Sequence, residues 1–253
     1  MNPKSLLSHR KQEPEERVLY IVGTPIGNLD DISFRALSIL KNVSLIACED
    51  TRQTGKIMNK FEINNHLISF NKENSYKKIP TLINHLKSGK SLALVSDAGM
   101  PGICDPGEDL VRNAKINGLD VICIPGPCAA INALVSSGMP SSSFIFEGFL
   151  PKKNKDRGKI LLEISKRQKT TVLFESPNRL CKLLKELIGF CGPERKIQVS
   201  REITKKYEEN LNSTIIEVLN YFERKEVIGE VTLVIKGIEK KDSEFNKFLL
   251  KKD

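Results

Sequence analysis

Leu94-Val95-Ser96-Asp97-Ala98-Gly99-Met100-Pro101-Gly102-Ile103-Cys104-Asp105-Pro106-Gly107 is the stretch from which the fold is read. An apolar run of β-forming type, Leu92 to Val95, ends just before an acidic residue. A turn rich in glycine and proline follows, and Glu108-Asp109-Leu110-Val111 then takes up a helical pattern. Strand, carboxylate, tight turn and helix in that order is how an open α/β sheet builds a ligand crevice at the carboxyl ends of its strands. The glycines permit positive φ or a close backbone approach, and the prolines fix φ, so the loop is stiff. Asp97, at the strand tip, can accept hydrogen bonds from a ligand's hydroxyls or amine. Turn chemistry alone, with Asp105 as a helix cap, accounts for much of the same stretch.

The pattern recurs on either side. Val18 to Val22 reads as a buried strand running into Gly23-Thr24-Pro25-Ile26-Gly27-Asn28-Leu29, with a helix starting near Ser33 as N-cap. No Gly-Lys-Ser follows and the glycines do not fall as GxGxxG, so a nucleotide-phosphate cradle is disfavoured. Ser44 to Cys48 is a second strand ending in Glu49-Asp50-Thr51-Arg52. Two carboxylates and an arginine at a strand tip suggest a site, against the alternative that Asp50 caps a helix. Leu67 to Phe70 is a third strand, and Asn74 to Ser88 an amphipathic helix with Pro80 near its first turn. Glu108 to Asn117 is helical up to Gly118, and Asp120 to Ile124 is a strand ending in Pro125-Gly126-Pro127-Cys128-Ala129-Ala130. Repeated strand, glycine loop and helix predict a mostly parallel sheet with its loops converging on one edge.

A second α/β unit begins near Ser141. Its strands are Ser143 to Leu150, Thr170 to Phe174, Lys196 to Arg201 and Val231 to Ile235, in a sheet of four or five, with helices around 155–166, 178–188 and 213–224. The economical division is a disordered tail over 1–16, an N-terminal α/β domain over 17–127, a C-terminal α/β domain over 128–238 and a charged tail over 239–253, with a hinge around 126–140.

The chain has 253 residues, enough for sizeable cores, and an ordinary 40% of hydrophobic residues. Its formal net charge of +9 favours a polyanionic partner, nucleic acid before an acidic membrane surface. Six cysteines without a CxxC pair suit reduced thiols in a cytosolic protein. Three scattered histidines make a zinc hydrolase or a His-activated nucleophile improbable. No apolar run is long enough for a membrane span, and no secretory signal is present. Between Pro151 and Lys169, Lys152, Lys153, Lys155, Arg157, Lys159, Lys166, Arg167 and Lys169 stand against Asp156 and Glu163. That segment suits phosphate-backbone contact, or simply a solvated helix face. Few aromatics interleave the basic residues, which disfavours base-stacking platforms.

Taken together, Gly23 to Leu29, Glu49 to Arg52, Ser96 to Gly99, Asp105-Pro106-Gly107, Pro125 to Ala130, Glu147-Gly148-Phe149-Leu150-Pro151, Glu175-Ser176, Arg201 to Lys205 and Gly229-Glu230 resemble the tetrapyrrole (corrin/porphyrin) methylase superfamily. The order and spacing of these stretches, from Val18 to about Gly237, carry the resemblance. It implies two α/β domains of class III methyltransferase type, S-adenosylmethionine in the cleft between them, and a homodimer. It implies 2′-O-methylation of a cytidine ribose in 16S rRNA of the small ribosomal subunit, in the cytoplasm and without a membrane. The cofactor residues it implies are Gly23, Pro25, Gly27, Asp97, Ala98, Gly99, Ile103, Pro125, Gly126, Cys128, Ala129 and Phe174. Met100 and Ile228 depart from its usual threonine and lysine.

In-line methyl transfer asks mainly for orientation, with a proton acceptor for the weakly acidic ribose hydroxyl. The strand-tip carboxylates are the candidates: Glu49 or Asp50, positioned by Arg52, with Glu175 in reserve. Lys152, Lys153, Lys155, Arg157, Arg179, Arg201 and Lys205 are the expected RNA contacts. The rival readings are a methylase of a corrin or sirohaem precursor and a non-catalytic RNA-binding module.

Overall fold

A computed structural model describes residues 13–238. Of the expected N-terminal tail, residues 1–12 lie outside the described residues, and so does the charged tail from residue 239 on. Residues 13–16 are held against the rest of the chain: Glu13 pairs with Arg35 at 2.7 Å, and the Glu15 N–H donates to the Tyr20 hydroxyl at 2.8 Å. The chain divides into two compact units, Met1–Cys128 and Ala129–Asp253.

In the first unit, five strands form one sheet: β1 (Val18–Val22), β2 (Ile46–Cys48), β3 (Leu67–Ser69), β4 (Leu92–Val95) and β5 (Asp120–Ile124). Their order is β3-β2-β4-β1-β5, and every pairing is parallel. The crossovers are α1 (Phe34–Asn42), α2 (Thr51–Lys60), α3 (Ser75–Lys87) and α4 (Glu108–Ile116). The chain steps one way across the sheet to β3 and then back to β5. Right-handed crossovers therefore place α1 and α2 on one face and α3 and α4 on the other.

Alternation along β1 shows both faces: Val18, Tyr20 and Val22 pack with Ile39, Leu40 and Met58, while Leu19 and Ile21 pack with Leu82, Leu86 and Leu110. Burial on both sides is why β1 and β4 read as unbroken apolar runs. Ser33 caps α1 by accepting from the Ala36 N–H, as its residue type predicts. Pro80 lies sixth in α3, one turn deeper than expected.

The second unit starts with α5 (Ala129–Ser136) and holds β6 (Phe144–Phe149), α6 (Asn154–Lys166), β7 (Thr170–Glu175), α7 (Leu180–Cys191), β8 (Lys196–Arg201), β9 (Glu209–Thr214), α8 (Ile215–Phe222) and β10 (Val231–Ile235). The stretch expected as a hinge carries α5, which packs on β7 and β10. The sheet order is β6-β7-β10-β8-β9; only β6 and β7 are parallel. The fifth strand is β9, whose polar Glu-Asn-Leu-Asn-Ser-Thr has no apolar alternation to announce it. One sheet face is apolar and meets α6, α7 and α8 through Leu173, Ile197, Val199 and Leu233. On the other, Gln198 is buried and donates from Nε2 to the Ala133 carbonyl (3.3 Å) and to Ser136 Oγ (3.0 Å) of α5.

Candidate active site

Because all five strands of the first sheet are parallel, the segments after Val22, Cys48, Ser69, Val95 and Ile124 leave from one edge. The loops after β1, β4 and β5 are tied to one another there. Thr24 and Gly99 exchange backbone hydrogen bonds of 2.9 and 3.1 Å. The fully buried Thr24 hydroxyl donates to the Ser96 carbonyl at 3.2 Å. Gly23 and Gly126 lie backbone to backbone: a Cβ on Gly126 would fall 2.7 Å from Gly23 Cα, and one on Gly23 would fall 2.6 Å from Met100 Sδ. Gly99 has φ +82°, which disfavours any L side chain. A Cβ on Gly99 would also be 3.3 Å from Ile26 and 3.5 Å from the Pro127 carbonyl. Gly23, Asp97, Ala98, Gly99, Gly126 and their neighbours thus stand at one strand edge, with Pro25 buried between them and Gly27, Ile103 and Pro125 exposed. Met100 takes a packing place against bare backbone and leaves the glycine framework intact.

Carboxylates gather at the tips of β2 and β4. Asp50 is the N-cap of α2: its Oδ1 accepts the Arg52 N–H at 2.8 Å, and Arg52 Nη2 reaches Oδ2 at 2.6 Å. Hydrogen bonding to the Arg52 side chain, then to its backbone, holds Asp50 down at about 2. Asp97 Oδ1 accepts the Asp50 N–H at 3.0 Å, which links the β4 loop to the start of α2. Burial, followed by the Asp97 charge, pushes Glu49 up. Asp105 does not cap α4, whose N-cap is Gly107 without a side-chain bond. Burial, followed by the charge of Glu49, raises Asp105 to about 6, with Lys72 and Ser96 opposing. Among the described residues no group of three or more His, Cys, Asp or Glu side chains could hold a metal ion.

Two sequence expectations change on the second unit. Glu175 is buried, and its oxygens meet Arg179 Nη2 (2.6 Å), Arg157 Nη2 (3.2 Å) and the Ser176 N–H (2.8 Å). It is an anchor for guanidinium groups rather than a reserve base. Arg157 is 4% exposed and is held by Glu175 and, at 2.7 Å, by Glu186; it sits behind the surface rather than on it. Arg201 is largely tied to Glu209 (3.0 Å) and the Ile228 carbonyl (2.8 Å), and Lys205 to Glu202 (2.8 Å) and Glu230 (3.3 Å). Lys152, Lys153 and Lys155 are exposed, and Arg179 is partly exposed. Ala129 and Phe174 belong to the second unit, where Phe174 packs edge-on against Phe146 at 5.1 Å.

Sequence reasoning missed Thr24 as the latch, Asp105 as the most strongly raised acid and Lys72 beside it. Thr24 and Asp105 lay inside stretches already singled out; Lys72 carried no signal.

The sequence profile of the tetrapyrrole (corrin/porphyrin) methylases matches residues 18–219. The ribosomal RNA small subunit methyltransferase I of Thermotoga maritima is 46% identical over 87% of this chain and 99% of its own length. That of Vibrio cholerae is 45% identical over 87% of this chain and 77% of its own. Among solved structures, a cobalt precorrin-4 methyltransferase of cobalamin biosynthesis aligns with TM-score 0.66 at 18% identity, covering 87% of this chain and 95% of that one. Uroporphyrin-III C-methyltransferase from Thermus thermophilus, solved with S-adenosylhomocysteine, aligns with TM-score 0.60 at 17% identity, covering 86% and 96%. Among the described residues, no helix is long and apolar enough to cross a membrane.

Proposed function

The chain belongs to the tetrapyrrole (corrin/porphyrin) methylase family, and from that premise we propose that it methylates ribosomal RNA of the small subunit with S-adenosylmethionine, at the 2′-hydroxyl of a cytidine ribose. The observation that carries this reading is the near-full-length likeness to two enzymes of that name. The solved tetrapyrrole methyltransferases are too distant in sequence to carry their substrate to this chain. A homodimer in the cytoplasm belongs to the same reading.

The residues of the first unit fit the cofactor. Only glycine allows the β1 and β5 tips to approach as they do at Gly23 and Gly126, and Gly99 needs a conformation that a side chain resists. Gly23, Pro25, Gly27, Asp97, Ala98, Gly99, Ile103, Pro125, Gly126 and Cys128 would hold it. Asp97 would offer a carboxylate oxygen beyond the one already bonded to Asp50. Bound there, the cofactor supplies a methyl group on a sulfonium, open to attack by an oxygen. The chain's task is then to hold the hydroxyl in line and to take its proton. Asp50 is a poor acceptor, since Arg52 holds it at about 2. Glu49 is the better one: burial and the Asp97 charge raise its proton affinity.

Incubation with tritiated S-adenosylmethionine and small subunits lacking the modification, followed by nucleoside analysis, tests the proposal. Label in a 2′-O-methylcytidine is the expected result. Label on a base, or transfer only to a tetrapyrrole precursor, would overturn it.

A further inference from the structure

The second unit carries an open cleft of about 550 Å³ lined by Lys152, Arg157, Ser176, Asn178, Arg179 and Lys182. Four of these six side chains are cationic and none is acidic. Behind the lining, Glu175 and Glu186 hold the two guanidinium groups, offsetting two of the four charges and leaving an excess of two.

The guanidinium groups are fixed rather than floating. Arg157 spends Nε on Glu186 and Nη2 on Glu175, so neither carboxylate uses Nη1. Arg179 is steadied by Glu175 and by the Ser176 hydroxyl, at 2.9 Å from its Nε. Setting charges into a protein interior costs desolvation, and what the arrangement obtains is a pair of planar forks oriented in advance. Lys152 and Lys182 add exposed ammonium groups, and Ser176 and Asn178 add neutral hydrogen-bonding groups. Fixed guanidinium forks with ammonium groups suit an anion with several acceptor oxygens, above all phosphate. No aromatic side chain lines the cleft, so it offers nothing for a base to stack on.

We propose that this cleft seats the phosphodiester backbone of the RNA substrate, with Lys152, Arg179 and Lys182 touching phosphate and Arg157 as a positioning residue behind them. The assignment rests on RNA being the substrate. It adds Lys182, and it leaves Arg201 and Lys205, largely committed to carboxylates, outside the seat.

The test is fluorescence anisotropy with a short labelled single-stranded RNA, read across a salt series with the full-length protein. Removing two phosphate contacts, in Lys152→Ala/Lys182→Ala, should flatten the logarithmic salt slope by about 1.4. The affinity advantage of the unaltered protein should then shrink about sevenfold between about 50 and about 200 mM salt. Lys152→Arg/Lys182→Arg should restore the slope. Lys41→Ala/Lys115→Ala, which removes equal charge from exposed helix positions of the first unit, should leave it unchanged. Calorimetry should show the same affinity for S-adenosylmethionine in all four proteins.

An unchanged slope in the first variant would overturn the assignment. An equal loss in the Lys41/Lys115 variant would do so as well, because net charge alone would then explain it. So would a selective loss of S-adenosylmethionine affinity, which would give the cleft to the cofactor's own carboxylate. If the unaltered protein still labels small subunits in those cases, only the cleft is lost; if it neither labels them nor binds RNA, the rRNA reading falls with it.

Discussion

Asp50 and Asp105 carry the same side chain and end with opposite proton affinities, because their partners differ. Asp50 faces a guanidinium two residues along; Asp105 is half-buried and feels the charge of Glu49. The second arrangement has a thermodynamic sign. Asp105 holds its proton more tightly folded, at about 6, than at its ordinary 3.8, so its contribution to stability is complete below about pH 4 and is lost as pH rises through 6. Asp105→Asn should therefore be more stable than the parent at pH 7, by about 1–2 kcal/mol after allowance for solvent screening, with the gap closing near pH 4. Urea denaturation at the two pH values measures it, and a variant less stable at pH 7 would show that burial does not dominate. Glu49 is separable from Asp50 by turnover. Glu49→Gln should lower kcat by about 10²–10⁴-fold with cofactor binding intact, whereas Asp50→Asn should lower the melting temperature and spare turnover per folded molecule. Normal turnover in both would remove the proton-acceptor assignment. The sequence places Glu49 and Asp50 at a strand tip and reads Asp105 as a helix cap, but it does not rank them. The ranking comes from Arg52 beside Asp50, and from burial together with charges far off in the chain, that of Asp97 on Glu49 and that of Glu49 on Asp105.

The elements of the first unit were legible through local rules: strands buried on both faces, β1 and β4, read as apolar runs, and glycine turns mark their ends. The second unit was less so. Its β9 is polar, and an antiparallel arrangement of β10 with β7 and β8 depends on pairings that no local pattern encodes. Two glycines of the first unit show how an element's role decides the effect of one methyl group. Gly126 faces Gly23 across a backbone contact, so Gly126→Ala forces the β1 and β5 tips apart and should cost about 1–3 kcal/mol while weakening S-adenosylmethionine binding. Gly55 lies inside α2 with nothing within 4 Å of a built Cβ, so Gly55→Ala should stabilise by up to about 1 kcal/mol. Denaturant midpoints and calorimetry on both variants check this, and a neutral Gly126→Ala would mean that the loop contact is not fixed.

Across the whole chain, the sequence announces two α/β units through a restart of the strand pattern after Gly138-Met139-Pro140, and each unit builds its own core. Leu40 is fully buried among Val18, Tyr20, Ile39 and Val95 of the first unit; Leu184 is fully buried among Leu161, Leu173, Leu180 and Phe222 of the second. The two clusters share no member. Each truncation, Leu40→Ala and Leu184→Ala, removes packing atoms and leaves a cavity, and should cost about 2–5 kcal/mol. Because neither site touches the other's neighbours, the double variant should lose the sum to within about 0.5 kcal/mol. Each loss should register most strongly in probes placed on its own unit. A double-mutant cycle in urea decides the matter: a coupling well above that margin would mean that the two substitutions disturb one shared core, and that the restart in the sequence marks only a change of sheet.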